Sequence, residues 1–187
     1  MNLLGSDLTP TETETLLKYC DQAPGETYME IGIYAAGTFN KVVNEFNFHN
    51  YIGVDLFEDF KKTPDNTHID ETFSVEQIRA VLPEWKENIK LIKCDSRELL
   101  AEFPYGFAGL IFIDGNHSYN ATMIDFLTSH MLLQYGFIAI HNASNTMHPD
   151  VNYVAADGGP YAVVEFAKKL KDLEYLGTFD RLAVFRK

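Results

Sequence analysis

The chain has 187 residues, of which 46% are hydrophobic and 22% charged, and its formal net charge is −12. This composition is typical of a single globular domain, 1–187, with a sizeable core. The acidic balance argues against nucleic-acid binding, which needs a basic surface, and mildly against a polyanionic substrate. Cys20 and Cys94 have neither disulfide nor zinc-site spacing. With no apolar leader and no apolar run near the ~20 residues of a membrane span, we expect a cytoplasmic protein.

Strand and helix patterns alternate along the sequence. A capping box from Thr9 to Glu12 begins a helix that runs to about Cys20, and a second capped helix begins at Ser74 and stops at Pro83. Apolar spacing predicts four more helices, at 38–46, 96–103, 119–133 and 161–170. Strands are predicted at 27–33, 51–55, 89–94, 110–113, 136–140, 174–177 and 181–186.

This alternation predicts an α/β fold in which helices cover both faces of a mostly parallel sheet. The apolar run from Leu110 to Ile113 is typical of a central strand that is buried on both faces. The last two strand segments are close in sequence, so we expect them to pair antiparallel. The prediction is a seven-stranded sheet in which the segment 181–186 lies antiparallel beside the strand 136–140.

Polar side chains follow the carboxyl ends of all five predicted parallel strands. Ligands of parallel sheets bind outside these ends, so the pattern favours a ligand cleft. The alternative is that these side chains only cap the following helices, which Asp95 and Ser96 would fit well. The five groups are Glu30 with Gly32, Asp55, Asp95 with Ser96, Asp114 with Gly115, and His141 with Asn142.

The turn after the first strand distinguishes two classes of adenosine ligand. Gly32 allows a tight turn and close approach of a ligand to the backbone. Asp55, 23 residues further on, is placed to accept hydrogen bonds from an adenosine ribose, as in NAD and S-adenosylmethionine sites. Tyr34 and Ala36 stand where a dinucleotide fingerprint needs glycine or space for a pyrophosphate. Glu30 suits a cationic amino-acid group better than a diphosphate, so a nicotinamide-dependent oxidoreductase is disfavoured.

Three segments resemble class I S-adenosylmethionine-dependent methyltransferases. They are Glu-Ile-Gly-Ile-Tyr-Ala-Ala-Gly-Thr at 30–38, Ile-Gly-Val-Asp at 52–55, and Phe-Ile-Asp-Gly-Asn-His-Ser-Tyr at 112–119. The third is similar to the macrocin-type group of small-molecule O-methyltransferases, with catechol-type enzymes as more distant relatives. The resemblance implies a Rossmann-like fold, S-adenosylmethionine as cofactor, and a small acceptor such as a sugar or natural-product hydroxyl.

The same resemblance implies which residues bind the cofactor. It assigns the turn after the first strand to the methionine portion, Asp55 to the ribose, and the residues after the third strand to the adenine edge. The implied contacts are Glu30, Gly32, Tyr34, Thr38, Asp55, Asp95, Ser96 and Asp114.

The resemblance also implies a divalent metal ion, Mg²⁺, Mn²⁺ or Zn²⁺, beside Asp114. Relatives carry an acidic, His-Asp or Asp-Asn pair after the fifth strand, where this chain has His141 and Asn142. The predicted ligands are therefore Asp114, His141 and Asn142, and a single carboxylate favours an ion softer than Mg²⁺. A hydroxyl acceptor must also lose its proton, so the predicted catalytic residues are His141, His117 and Asp114. The alternative is that His141 acts as the base without a metal.

Two long polar segments, 56–73 and 141–159, lie on the cleft side and are expected to shape the acceptor pocket. Their candidate contacts are Phe57, Phe60, His148 and Tyr153. A non-catalytic S-adenosylmethionine-binding domain stays an alternative, since Ala36 and the pair after the fifth strand depart from the family pattern. We expect no membrane or nucleic-acid partner, and homo-oligomerisation is left open.

Overall fold

A computed structural model describes residues 6–24, 27–57, 72–144 and 159–187. Phe60, His148 and Tyr153, together with most of the two long polar segments, lie outside these ranges. The helices are α1 (Pro10–Gln22), α2 (Gly37–Glu45), α3 (Val75–Arg79), α4 (Leu99–Glu102), α5 (Tyr119–Leu132) and α6 (Gly159–Ala167). The strands are β1 (Thr27–Ile31), β2 (Asn50–Asp55), β3 (Ile89–Lys93), β4 (Ala108–Ile113), β5 (Leu133–Ile140), β6 (Glu174–Phe179) and β7 (Leu182–Arg186).

The seven strands form one sheet in the order β3-β2-β1-β4-β5-β7-β6. Strands β1 to β5 are parallel, and β7 runs antiparallel to both β5 and β6. Ile138 of β5 lies opposite Phe185 of β7. The predicted insertion of the last strand beside the fifth is therefore confirmed.

The core has two layers, one on each face of the sheet. In β4 every residue is buried, and alternate side chains enter different layers. Leu110 and Phe112 pack in the layer that contains α1 and α2, whereas Ile111 and Ile113 pack in the layer that contains α5 and α6. Burial on both faces explains why this segment reads as a continuous apolar run.

Both predicted capping boxes are present, at Thr9 and at Ser74. Some boundaries differ from the prediction. Strand β1 ends at Ile31 because Gly32 takes a left-handed conformation, with φ at +87°. Helix α3 ends at Arg79, before the predicted stop, and the N–H groups of Val81 and Leu82 then donate to the carbonyls three residues earlier, those of Ile78 and Arg79. Within the ranges given above, every helix is too short or too polar to cross a membrane.

Candidate active site

A cavity of about 580 Å³ opens at the carboxyl ends of the parallel strands. It lies at the boundary between β1 and β4, where the order of the strands in the sheet reverses. At such a boundary the loops after the two strands leave the sheet in different directions. All eight residues that the sequence resemblance assigns to the cofactor line this cavity, namely Glu30, Gly32, Tyr34, Thr38, Asp55, Asp95, Ser96 and Asp114.

The floor of the cavity is a close backbone contact between the loops after β1 and β4. A Cβ atom on Gly32 would lie 2.4 Å from the carbonyl oxygen of Asp114 and 2.5 Å from the Cα of Gly115. The N–H of Gly32 donates to Val54, and the N–H of Asp114 donates to Ile31, both at 2.8 Å. Only glycine fits at position 32, for reasons of space as well as conformation.

The turn after Gly32 contains two further residues in the left-handed region. Tyr34 has a φ of 42° and Ala36 a φ of 60°. Such conformations cost an L-residue about 1–2 kcal/mol. Glycine would adopt this conformation at position 36 without strain. Ala36, which departs from the family pattern, makes the turn less favourable, but the turn still forms.

Asp55 connects this turn to the end of β2. Its Oδ2 accepts a hydrogen bond from the N–H of Tyr34 at 2.9 Å, and its Oδ1 accepts one from the N–H of Phe57 at 3.0 Å. An ionised carboxylate has about four lone-pair positions, so each oxygen can still accept a hydrogen bond from a ribose hydroxyl. Asp55 therefore orders the cavity wall and also faces its interior.

Glu30 is a buried acid on β1, only 2% exposed. Its Oε2 accepts a hydrogen bond from the Tyr28 hydroxyl at 2.5 Å. Burial raises the pKa of Glu30 well above its ordinary value, and the nearby carboxylates of Asp114 and Asp55 raise it further. Burial therefore opposes ionisation of Glu30, and a cationic group entering the cavity would favour its ionised form.

The end of β3 supplies another part of the wall. Asp95 accepts hydrogen bonds from the N–H and Nε of Arg97, at 3.0 and 2.8 Å, and Ser96 donates its hydroxyl to Oδ1 of Asp125. Burial raises the pKa of Asp125 to about 6, partly opposed by this hydrogen bond. Cys94 also lines the cavity, and burial together with neighbouring acids raises its pKa to about 11. Asp95 and Ser96 thus have structural partners as well as access to the cavity.

Asp114, His117 and His141 converge where β4 and β5 end. The Oδ1 of Asp114 lies 2.8 Å from Nδ1 of His141 and 3.3 Å from Nε2 of His117. One ligand atom from each of the three lies within 4.8 Å of the others. His117 lines the cavity, whereas His141 is 2% exposed and lies behind Asp114. Of the two predicted bases, His117 is the one that faces the cavity.

His141 lies between two carboxylates. Its Nε2 is 3.4 Å from Oε2 of Glu12, on the side opposite Asp114. Burial lowers the pKa of His141, but Asp114 and Glu12 outweigh it and raise the pKa to about 9. Burial likewise opposes ionisation of Asp114, but His141 and His117 lower its pKa to about 2. At neutral pH the pair is an imidazolium and a carboxylate, and an imidazolium cannot accept a proton.

Asn142, the third predicted metal ligand, turns its amide oxygen away from this cluster. Its Oδ1 accepts a hydrogen bond from Nη1 of Arg181 at 3.2 Å, and its Nδ2 lies 3.2 Å from Nε2 of His117. The structure thus brings Asp114, His117 and His141 together, and Asn142 contacts the cluster only through its amide nitrogen.

Comparison with protein families decides the class of the chain. Residues 29–143 match a family described as a methyltransferase domain. The chain belongs to this methyltransferase family. The matched segment contains every residue predicted to bind the cofactor, to bind a metal or to act in catalysis. Helix α1, helix α6 and the β6–β7 hairpin lie outside it.

Solved structures share the fold of this methyltransferase domain. A Corynebacterium glutamicum protein is 14% identical, with 97% of this chain and 82% of that protein covered at a TM-score of 0.67. A Bacillus cereus O-methyltransferase solved with SAH is 15% identical, with 99% and 84% covered at 0.63. The O-methyltransferase NovP is 11% identical, with 95% and 79% covered at 0.63. Identities this low show the fold alone, and a search of curated proteins gives no match.

Sequence reasoning missed Glu12, Asp125 and Arg181. Glu12 was interpreted only as the N3 residue of a capping box, a role that it does have, because its Oε2 accepts the N–H of Thr9 at 2.7 Å. Its complete burial arises only in the fold, and nothing in the surrounding sequence distinguishes it from an exposed capping residue. Asp125 follows a helical pattern, and nothing in that pattern indicates that it faces the cavity.

Proposed function

We propose that this domain transfers the methyl group of S-adenosylmethionine to a hydroxyl of a small molecule such as a sugar or natural product. The observation that carries the proposal is the cavity at the carboxyl ends of the strands. Its lining contains both the implied cofactor contacts and His117. Its location at the divergence of the β1 and β4 loops is that of ligand sites in open α/β sheets.

The residues present fit this cofactor. The missing side chain at Gly32 lets a ligand approach the backbone closely, and Asp55 faces the cavity with acceptor capacity for ribose hydroxyls. Glu30 and Asp114 offer acidic groups to an amine or a sulfonium. When bound, S-adenosylmethionine supplies an electrophilic methyl group: the carbon–sulfur bond breaks as the oxygen–carbon bond forms.

His117 is the general base that we propose. The acceptor hydroxyl must give up its proton as it attacks, and the imidazole of His117 at the cavity wall is placed to take it. Asp114, 3.3 Å away and ionised, would stabilise the imidazolium that forms. Alignment of the hydroxyl with the methyl group supplies much of the remaining acceleration, because it makes the displacement effectively unimolecular.

The arrangement keeps two of the three predicted metal ligands together. One ligand atom each from Asp114, His117 and His141 lies within 4.8 Å of the others, so these side chains would hold a divalent ion, with Glu12 beside the second nitrogen of His141. The amide oxygen of Asn142, the third predicted ligand, faces a guanidinium instead. A bound ion would polarise the acceptor oxygen, in addition to the base described above.

Binding and turnover test the proposal separately. Calorimetry should show binding of S-adenosylmethionine and no comparable binding of NAD. A panel of sugars and phenols should then reveal acceptor-dependent release of S-adenosylhomocysteine. His117→Ala should abolish that release without weakening cofactor binding, whereas His130→Ala, a histidine of α5 that pairs with Asp172, should leave both unchanged.

The outcomes separate the alternatives. Binding without release for any acceptor would favour a non-catalytic S-adenosylmethionine-binding domain. Preferential binding of NAD would favour an oxidoreductase. Full turnover by His117→Ala would eliminate His117 as the base while leaving the methyltransferase assignment intact.

A further inference from the structure

Asp125 is a buried carboxylate of α5 to which the proposed reaction gives no role. It is 5% exposed and lines the cavity. Its Oδ1 accepts a hydrogen bond from the hydroxyl of Ser96, and among the residues that the structure describes no hydrogen bond reaches its Oδ2. Removing a charged oxygen from water without giving it a donor is costly. Oδ2 is therefore an acceptor that a ligand in the cavity could satisfy.

The surroundings of this oxygen leave room for a ligand. Gly115, in the loop after β4, lies beside it, and the Cβ atom that this glycine lacks would lie 3.1 Å from Oδ2. Gly115 and Asp125 both line the cavity. Ser96 follows β3, so its hydrogen bond joins α5 to the end of that strand. Because Oδ1 is held by Ser96, Oδ2 is the oxygen left for the cavity.

The order of the strands places this carboxylate at the nucleobase end of the proposed ligand. The methionine portion is assigned to the turn after β1, and Asp55, the proposed acceptor for the ribose hydroxyls, ends β2. The base is attached to the ribose away from the methionine portion, so it lies toward β3, the next strand in the sheet. Apolar cavity residues there suit the faces of a flat ring and leave Asp125 for its edge. They are Cys94, Ala121 and Ile124.

We infer that Asp125 selects adenine by accepting a hydrogen bond from its exocyclic amino group, while Ser96 sets which carboxylate oxygen faces the base. A 6-oxopurine has an oxygen in place of this amino group, and that oxygen would meet the carboxylate as a second acceptor. Asp125 is in this sense a specificity-determining residue. The inference rests on the proposed function, because it takes the base to belong to bound S-adenosylmethionine.

Asp95 is another carboxylate at this end of the cavity, but its oxygens are already paired. Its Oδ1 accepts hydrogen bonds from the N–H and Nε of Arg97, at 3.0 and 2.8 Å, and its Oδ2 accepts one from Nη2 at 2.8 Å. In the described ranges only one oxygen of Asp125 has a partner. A donor on the base therefore adds more at Asp125 than at Asp95.

Calorimetry with two stable ligands measures the selection without turnover. S-Adenosylhomocysteine carries the amino group, and S-inosylhomocysteine carries an oxygen in its place. At pH 7.5 the wild type should bind the first about tenfold to a hundredfold more tightly, the range for one hydrogen bond to a charged group. Equal affinities would overturn the inference and leave the proposed function intact. Binding of neither ligand would overturn both.

Asp125→Asn should invert the preference. The asparagine oxygen can keep the hydrogen bond from Ser96, so the amide nitrogen takes the place of Oδ2 and presents a donor instead of an acceptor. S-Inosylhomocysteine, whose oxygen can accept from this nitrogen, should then bind more tightly than S-adenosylhomocysteine. Ser96→Ala in the same variant lets the amide turn over, so the inversion should disappear. Ser96→Ala alone should keep the wild-type preference, because the two oxygens of a carboxylate are equivalent.

Asp95→Asn is the matched control and should still prefer S-adenosylhomocysteine. Loss of the preference in this variant, with an unchanged preference in Asp125→Asn, would overturn the inference and assign the selection to Asp95. An equal loss of affinity for both ligands in Asp125→Asn would also overturn it, because Asp125 would then act only on the shape of the cavity. Thermal unfolding verifies that each variant is folded before its affinities are compared.

Discussion

Asp125→Asn should stabilise the ligand-free protein at neutral pH. Asp125 is 5% exposed and accepts a hydrogen bond from Ser96, which an asparagine Oδ1 can also accept. Burial raises the pKa of the carboxyl from 3.8 to about 6. A difference of about two units corresponds to about 3 kcal/mol, at 1.36 kcal/mol for each unit.

The sign of the effect follows from proton binding. The unfolded chain ionises this carboxyl near pH 3.8, whereas the folded protein keeps the proton up to about pH 6. Between these values the folded state binds more protons, so the stability of the wild type falls as the pH rises through this window. Asparagine has no such proton. The stability advantage of Asp125→Asn should therefore be smallest below pH 3.8 and reach its full value above pH 6.

Urea unfolding of the two proteins from pH 3.5 to 8 measures this difference, provided that both unfold in two states. Ser96→Ala is a useful companion, because it removes the hydrogen bond that lowers the pKa of Asp125 and should move the transition to higher pH. A stability difference that does not change with pH would refute the reasoning, since it would mean that ionising Asp125 in the folded protein costs no free energy.

Two other predictions concern the cavity wall. Asp55→Asn should weaken S-adenosylmethionine binding by about 1.5–3 kcal/mol for each charge-assisted hydrogen bond lost. An unchanged calorimetric affinity would mean that Asp55 serves only the N–H groups of Tyr34 and Phe57. Gly32→Ala should lower the free energy of unfolding by more than the ~1–2 kcal/mol of a left-handed alanine, because its methyl group would also meet the Asp114 backbone. Gly53→Ala is the control, since its new methyl group would meet only side chains, at 3.0 Å or more; equal losses in urea unfolding would contradict the steric argument.

Most of the fold could be predicted from local patterns. Capping boxes mark helix starts because they satisfy N–H groups within four residues, and the run from Leu110 to Ile113 marks a central strand because both of its faces are covered. Strand ends were harder to place. Leu133 already belongs to β5, three residues before the predicted start, because the change from helix to strand falls inside an apolar stretch. The single-domain organisation and the cytoplasmic location stay predictions.

The site was predictable in position but not in the orientation of its side chains. Strand ends gather at one edge of a parallel sheet, so residues that follow them meet there whatever their identity. Whether His141 faces the cavity or lies behind Asp114 depends on Glu12 and Arg181, which come from the two ends of the described chain. No spacing in the sequence records that convergence, because it is created only by the packing of α1 and the β6–β7 hairpin.

The position of Cys94 allows its thiol to report whether the cavity is occupied. Cys20 is 4% exposed, so Cys94 is the thiol that an alkylating reagent can reach from the cavity. With a pKa of about 11 it carries little thiolate at neutral pH, and labelling should be slow and easily timed. A small molecule seated against the end of β3 would shield it. The labelling rate therefore reports occupancy for any candidate acceptor or cofactor, before a single turnover has been observed.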